Sequence, residues 1–291
     1  MEIKQNKKIL VCGAFGLVGS NICKALERDY PDIEITKSKC DEFQGFGFSG
    51  LYDYIIHAAG YGQPQMFGKD KIKTISLNTN HTDYLFRMLK KDGKFLFVSS
   101  SEVYSGAPSP HKETDIGTTT PQHPRACYIE GKRCGEAICM AYKEMGYDVK
   151  IARLALAYGP GTKKHDTRVI NEFIEQALTT GRIQMKDHGV AQRTYLYVED
   201  CAKIMLDVLF KGKDVVYNVG GISHISIFGL ATFIAEKTGA TVVLGEEQLN
   251  GAPSSVELDL GKIISEFEPS FMQLSEGLLK TIEYQRTLYG K

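Results

Sequence analysis

Apolar and polar positions along this chain follow two alternating periods. Lys8-Ile9-Leu10-Val11-Cys12 is a short apolar run stopped by glycine. That is the pattern of a strand buried on both faces of a parallel sheet. Beyond the glycines, Val18, Ile22, Ala25 and Leu26 fall on one face of a helix. Residues 33–36 and 54–58 predict the second and third strands. The spacing of Leu77, Leu85, Phe86 and Leu89 predicts one helix over 75–90. Residues 94–98 read as a strand ending in a serine cluster, 128–145 as a long helix, and 149–155 as another buried strand. Strands alternating with helices predict an α/β fold, a Rossmann-like doubly wound parallel sheet.

The pattern changes after Gly159-Pro160-Gly161. A helix is expected over 168–179, a strand over 215–219 and a helix over 227–238. This gives a dinucleotide-binding Rossmann domain over 1–155 and a smaller C-terminal substrate-binding region over 156–291, with the chain free to cross between the two.

Composition narrows the class. The 291 residues are 43% hydrophobic and 24% charged, which supplies a sizeable core and argues against disorder. Thirty-five basic residues balance thirty-five acidic ones, so no global field favours nucleic acid or an anionic membrane. No apolar run approaches the roughly 18 residues of a membrane span. The polar start, Met1-Glu2-Ile3-Lys4, does not read as a signal peptide. Seven cysteines without a Cys-x-x-Cys pair indicate neither a disulfide framework nor a metal site. A cytoplasmic location is the expectation.

Two local motifs carry chemistry. A strand, a glycine turn and a helix present backbone N–H groups to a pyrophosphate. Gly13 permits the tight turn, Gly16 lets phosphates come close, and Gly19 lets the helix pack on the strand. Gly13, Phe15, Gly16, Leu17, Val18 and Gly19 are therefore candidate cofactor-binding residues. The second strand ends Thr36-Lys37-Ser38-Lys39, with no acid before Asp41. An acid there would hold the adenosine ribose of NAD, whereas the lysines suit the 2′-phosphate of NADP. The second motif is Tyr128 and Lys132, spaced i, i+4 on one helix face. A lysine ammonium beside a phenol favours the phenolate, which lets tyrosine act as acid and base. A hydroxyl from Ser99-Ser100-Ser101 would orient the substrate hydroxyl.

With these motifs in order, the chain resembles the extended short-chain dehydrogenase/reductases, which include nucleotide-sugar epimerases, dehydratases and decarboxylases. The resemblance also covers His57-Ala58-Ala59-Gly60, Asn78, Ser101-Glu102-Val103-Tyr104, Arg153 to Gly159-Pro160, Arg193 to Asp200 and Tyr217-Asn218-Val219-Gly220. It implies that Ser100 orients the hydroxyl, Tyr128 is the acid/base and Lys132 its electrostatic partner. It implies that His57, Ala58, Ala59, Gly60 and Asn78 line the cofactor. Arg193 would meet the nucleotide diphosphate. Three stretches look most like UDP-glucuronate decarboxylases: Ser101-Glu102-Val103-Tyr104, Pro124-Arg125-Ala126-Cys127-Tyr128 with Glu130-Gly131-Lys132-Arg133, and Asp166-Thr167-Arg168-Val169-Ile170. In that branch a glutamate at the Glu102 position serves the chemistry beyond C4 oxidation.

The chain also departs from the branch. Leu156 stands where an asparagine is usual, and Ala252-Pro253-Ser254-Ser255 lacks an expected arginine. Arginine gives bidentate recognition of carboxylates, so its absence bears on the substrate. Either Lys163, Lys164 or Arg168 compensates or the substrate is a different one, and with Ser101, Glu102 and Arg193 Arg168 completes the candidate substrate-binding set. The segment 37–51 is short, and Phe43-Gln44-Gly45-Phe46-Gly47-Phe48 stands where relatives build an adenine wall.

The expected function is NAD-dependent modification of a nucleotide-activated sugar through a 4-keto intermediate, by epimerisation or decarboxylation, with dehydration less favoured because Ser101-Glu102 stands where dehydratases usually carry Asp-Glu. The alternatives are an NADPH-dependent reductase of a keto-sugar or other carbonyl, and a non-catalytic dinucleotide sensor. The resemblance also implies a homodimer, formed by the helices over 75–90 and 128–145.

Overall fold

The structure is a computed structural model and describes residues 6–39, 51–246 and 255–291. Asp41, the glycine- and phenylalanine-rich stretch 43–48 and the arginine-free stretch 252–254 lie outside the described residues.

The chain runs β1 (Lys8–Cys12), α1 (Leu17–Asp29), β2 (Glu34–Ser38), β3 (Tyr52–His57), α2 (Pro64–Lys69), α3 (Lys71–Asn78) and α4 (Asn80–Met88). It continues through β4 (Leu89–Ser100), a 3-10 turn (Ser101–Tyr104), α5 (Ala126–Glu144), β5 (Asp148–Leu154) and β6 (Ala157–Tyr158). Then come α6 (Val169–Thr180), β7 (Arg182–Gln184), β8 (Gln192–Tyr197), α7 (Val198–Lys211) and β9 (Val216–Val219). The chain closes with β10 (Ser223–Ser226), α8 (Ile227–Thr238), β11 (Thr241–Val243), β12 (Ser255–Val256), α9 (Gly261–Phe267) and α10 (Leu274–Tyr289).

The main sheet has the order β2-β1-β3-β4-β5-β9. Every neighbouring pair in it is parallel. The order reverses between β1 and β3, and ligands of such sheets bind outside the carboxyl ends of strands at that switch point. Apolar cores fill both faces. One holds Ile22, Leu26, Ile56 and Leu96 with Met205 and Leu209 of α7; the other holds Leu85, Phe86, Phe95 and Phe97. The sixth strand and α7 both come from beyond residue 155, so the chain crosses back into the first region. The second region keeps its own core of Tyr158, Phe173, Ile174, Leu230, Ile234 and Leu278.

The single helix expected over 75–90 is two helices, and the chain is already extended from Leu89. The break falls at Thr79 (φ −112°, ψ −80°). Around it, polar side chains turn back onto the preceding turn: Asn78 Nδ2 donates to the Thr74 carbonyl, Thr79 Oγ1 to Ile75 and Thr82 Oγ1 to Asn78. Such bonds bend helices. Apolar periodicity continues through a bend of this kind, so the pattern alone does not show it.

Two glycines set the position of α5. A Cβ at Gly135 would lie 2.5 Å from the Phe97 ring and 2.6 Å from the Asn78 carbonyl oxygen. A Cβ at Gly131 would lie 3.5 Å from the Asn78 side chain. The small face of α5 thus seats against α3 and β4. Tyr128 and Lys132, on the same helix, are carried to the carboxyl end of the sheet.

Candidate active site

Gly13 adopts φ +86°, and a Cβ there would lie 2.6 Å from the Ala58 carbonyl oxygen. The turn therefore presses on the segment after β3. Gly16 is the N-cap of α1, which has no side-chain cap and no acid in its first turn. The helix N-terminus keeps its positive end for an anion. Leu17 and Gly19 are buried, Val18 is half-buried, and Phe15 is 51% exposed at the tip of the loop. This cradle fits a dinucleotide pyrophosphate.

Across the cradle, Ala59 is buried and Ala58 and Gly60 are half-buried. A Cβ at Gly60 would be 3.8 Å from both Asn78 Oδ1 and Lys132 Nζ. Asn78 is fully buried, yet its Oδ1 has no hydrogen-bond partner. An acceptor left without a donor in a buried site is costly unless a ligand or water completes it. Asn78 and Lys132 therefore offer an acceptor and a donor over the Gly60 floor, which fits a nucleotide ribose. His57 is fully buried, with Nε2 donating to the Leu77 carbonyl at 3.0 Å. Burial, then the nearby Lys132, pulls its pKa down to about 3. The ring is neutral and structural.

Of the two lysines at the end of β2, Lys37 is paired. Lys37 Nζ is 2.6 Å from Glu27 Oε1. The Ser38 carbonyl accepts from Gly13 and Ala14 N–H, which ties β2 to the cradle.

The structure brings Ser100, Glu102, Tyr128 and Lys132 together. Ser100 ends β4, and its Oγ accepts from the Glu102 N–H at 3.2 Å. It also acts on the Tyr128 phenol, favouring the phenolate. Lys132 is buried and donates to the Val98 carbonyl at 2.7 Å. It lies 5.9 Å from the Tyr128 ring centroid, so ammonium and phenol face one site without a direct bond. Burial pulls Lys132 down to about 8, against the opposing effect of Glu136.

The expectation of a lowered tyrosine pKa is corrected here. The Tyr128 phenol is pushed up by desolvation, which outweighs the Ser100 hydroxyl and the Arg125 and Arg168 charges. Phe67 of α2 is part of that burial, its ring stacked on Tyr128 at 4.8 Å and 12°. Phe67 is buried, and its carbonyl accepts from Cys127 Sγ and Thr74 Oγ1.

Glu102 is bound by Arg125, and its other oxygen accepts from Ser105 at 3.1 Å. Arg125 was missing from the candidate set. Its position three residues before Tyr128, one helical turn away, was the available signal. Arg168 grips Asp166 with Nε and Nη2, so two of its five N–H donors are already used. Arg193 on β8 is half-buried, donates to the Gln192 carbonyl at 2.6 Å, and feels the Glu102 carboxylate. Ser101 is half-buried in the 3-10 turn. Leu156 has φ +39° and is 38% exposed. An asparagine tolerates that backbone more readily than a leucine does. Among the described residues no group of three or more His, Cys, Asp or Glu side chains could hold a metal ion.

Residues 9–220 match the model of the NAD dependent epimerase/dehydratase family. UDP-glucuronic acid decarboxylase 1 of Xenopus tropicalis is 31% identical, over 97% of this chain and 73% of that protein. The protein of the same name from Danio rerio is 30% identical, with the same two coverages. Among solved structures, UDP-glucuronic acid 4-epimerase from Bacillus cereus, in complex with UDP-glucuronic acid and NAD, superposes with a TM-score of 0.81. It is 23% identical and covers 97% of this chain and 100% of its own. It shows the same fold.

Proposed function

We propose, for a chain that belongs to the NAD-dependent epimerase/dehydratase family, NAD-dependent modification of a nucleotide sugar through a 4-keto intermediate. The observation that carries this reading is the convergence of Ser100, Tyr128 and Lys132 beside the glycine cradle. Bound NAD+ supplies the hydride acceptor and later returns the hydride, so the cycle has no net redox change. Ser100 holds the sugar 4-hydroxyl, and Tyr128 takes its proton as the carbon is oxidised. The Lys132 ammonium stabilises the phenolate that accepts this proton. Tyr128 gives the proton back when the carbonyl is reduced.

The names of the relatives favour UDP-glucuronate as the first substrate to try. A 4-keto uronate is a β-keto acid and loses carbon dioxide readily, while the same intermediate permits epimerisation. Arg125, held by Glu102 beside Tyr128, is the cation best placed to meet an acidic substituent. Arg193 suits the diphosphate. Lys163 and Lys164 are exposed, with Lys164 over the Tyr289 ring, which does not favour them as the compensating cations.

The reductase reading loses support from the Lys37–Glu27 pair, and the sensor reading leaves the assembled trio without a role. The test is mass spectrometry of small molecules released on denaturing freshly purified protein. Stoichiometric NAD+ is expected. Incubation with UDP-glucuronate is then expected to yield either a UDP-pentose with carbon dioxide or an epimerised UDP-uronate. NADP(H) in the protein, with steady NADPH consumption on keto substrates, would overturn the reading.

We also read the enzyme as a homodimer, paired through α3, α4 and α5. Ile72, Ile75 and Met140 on these helices are exposed apolar side chains, which favours a partner there. Twice the monomer mass is expected by light scattering at micromolar concentration. A monomer would refute it. Cys12, Cys23, Cys127, Cys134, Cys139 and Cys201 are in no disulfide, which suits a reducing cytoplasm. Among the described residues no helix is long and apolar enough to cross a membrane.

A further inference from the structure

Tyr128, Lys132 and Glu136 follow one another at i, i+4 and i+8 on α5, so all three lie along one stripe of the helix. Lys132 and Glu136 then clamp two adjacent residues of β4. Lys132 donates to the Val98 carbonyl at 2.7 Å. Glu136 Oε1 accepts from Ser99 Oγ at 2.5 Å. The next residue is Ser100, which acts on the phenol.

Glu136 is itself fixed from the far side. Arg153 of β5 donates to it from Nε at 3.0 Å and Nη2 at 2.7 Å. Arg153 Nη1 donates to Tyr104 Oη at 2.9 Å, and Tyr104 Oη donates to Asn218 Oδ1 at 2.7 Å. Ser99, Tyr104, Glu136 and Asn218 are all buried. A buried carboxylate with this many fixed donors cannot swing away.

The groups facing Lys132 are few. From its own helix come Tyr128, Glu136 and Cys139; from β3 comes His57; Arg153 of β5 acts through Glu136. His57 and Cys139 are held neutral by burial. Glu136 is thus the anion of this set, and a buried ammonium without an anion tends to lose its proton.

We propose that Glu136 is a positioning residue of the site: held by Ser99 and Arg153, it keeps the Lys132 ammonium charged and in line with Tyr128. The inference rests on the Tyr128–Lys132 reading above, but its test requires neither substrate nor cofactor. In protein carrying 13C-labelled lysine, the Lys132 Cε resonance is identified by its loss in Lys132→Met, and its titration is followed by NMR. Glu136→Gln is expected to lower the titration midpoint by about one pH unit or more. Ser99→Ala removes a hydrogen bond to Glu136 and leaves the charge, so its midpoint is expected near that of the unaltered protein.

Glu136→Gln leaves Arg153 buried without its anion and risks misfolding. The pair Glu136→Gln with Arg153→Met removes both charges together, and a smaller shift in the same downward direction is expected of it. A midpoint unchanged in these variants overturns the proposal. So does a shift in Ser99→Ala as large as that in Glu136→Gln, because geometry rather than charge would then be responsible. Absence of turnover by the unaltered protein on every nucleotide sugar, with the Lys132 shift present in the variants, would instead overturn the functional reading alone.

Discussion

Tyr128→Phe is expected to slow turnover by about 10²–10⁴-fold, the range that a positioned acid/base contributes. Cofactor content and unfolding temperature are expected to stay close to those of the unaltered protein. The reasoning is local. Ser100 acts on the phenol, and its Oγ remains engaged by the Glu102 N–H after the change. The ring itself, stacked on Phe67, is conserved by phenylalanine. The variant therefore removes one proton-transfer group and little packing. Single-turnover absorbance at the reduced-cofactor wavelength is the measurement, because it isolates oxidation of the sugar. Undiminished turnover on the true substrate would sink the mechanism. A loss accompanied by a fall in unfolding temperature of many degrees would point to packing instead.

The contribution of the Lys132 ammonium to activity is expected to be lost as pH rises through about 8, where Lys132 loses its proton. The direction follows from which form works: the ammonium supports the phenolate and the neutral amine does not. The phenol alone would favour higher pH, since its pKa is pushed up by burial. The two limbs are opposed, so the gain from the phenolate is offset once the ammonium is lost, and activity is expected to stop rising above about 8.

How much of this was legible in the sequence depends on the range of each interaction. The glycine turn, β1 and the Tyr128–Lys132 stripe are encoded within a few residues, and the structure forms them where the spacing puts them. The break at Thr79 was hidden because apolar spacing persists through it, while the cause lies in side chains bonding back to their own helix. The sign of the Tyr128 shift was hidden because its burial includes Phe67, sixty-one residues earlier in the chain, and no local pattern pairs the two rings. The Glu136–Arg153 pair joins a helix to the strand after it, and the Tyr104–Asn218 bond spans 114 residues. Both polar pairs sit at positions that periodicity assigns simply to buried faces. Arg125 was quoted within a motif, yet its partner Glu102 is 23 residues away and only the fold joins them.

Gly19→Ala is expected to strip the protein of its dinucleotide. A Cβ at Gly19 would lie 2.2 Å from the Gly13 carbonyl oxygen and 2.7 Å from its carbon. Both are backbone atoms of the turn, and Gly13 is itself pressed against the Ala58 carbonyl. Neither side has a flexible end that can give way, so α1 must move off β1. Overpacking of this kind costs about 1–3 kcal/mol, or roughly 2–4 °C of unfolding temperature per kcal/mol in chains of this size class. Displacing the helix N-terminus by even an ångström weakens the anion site, and affinity is expected to drop on the order of 10²-fold. Gly16→Ala is the informative comparison. Its Cβ would meet only the Gly13 oxygen, at 3.4 Å, an ordinary contact. That variant should unfold like the original and still bind dinucleotide poorly, because its methyl group occupies the space into which phosphates come. Titration calorimetry with NAD+ and thermal unfolding of both variants separate the two effects. Binding retained by Gly16→Ala would mean that the pyrophosphate does not rest on this turn, and the cradle would have to be assigned a structural role only.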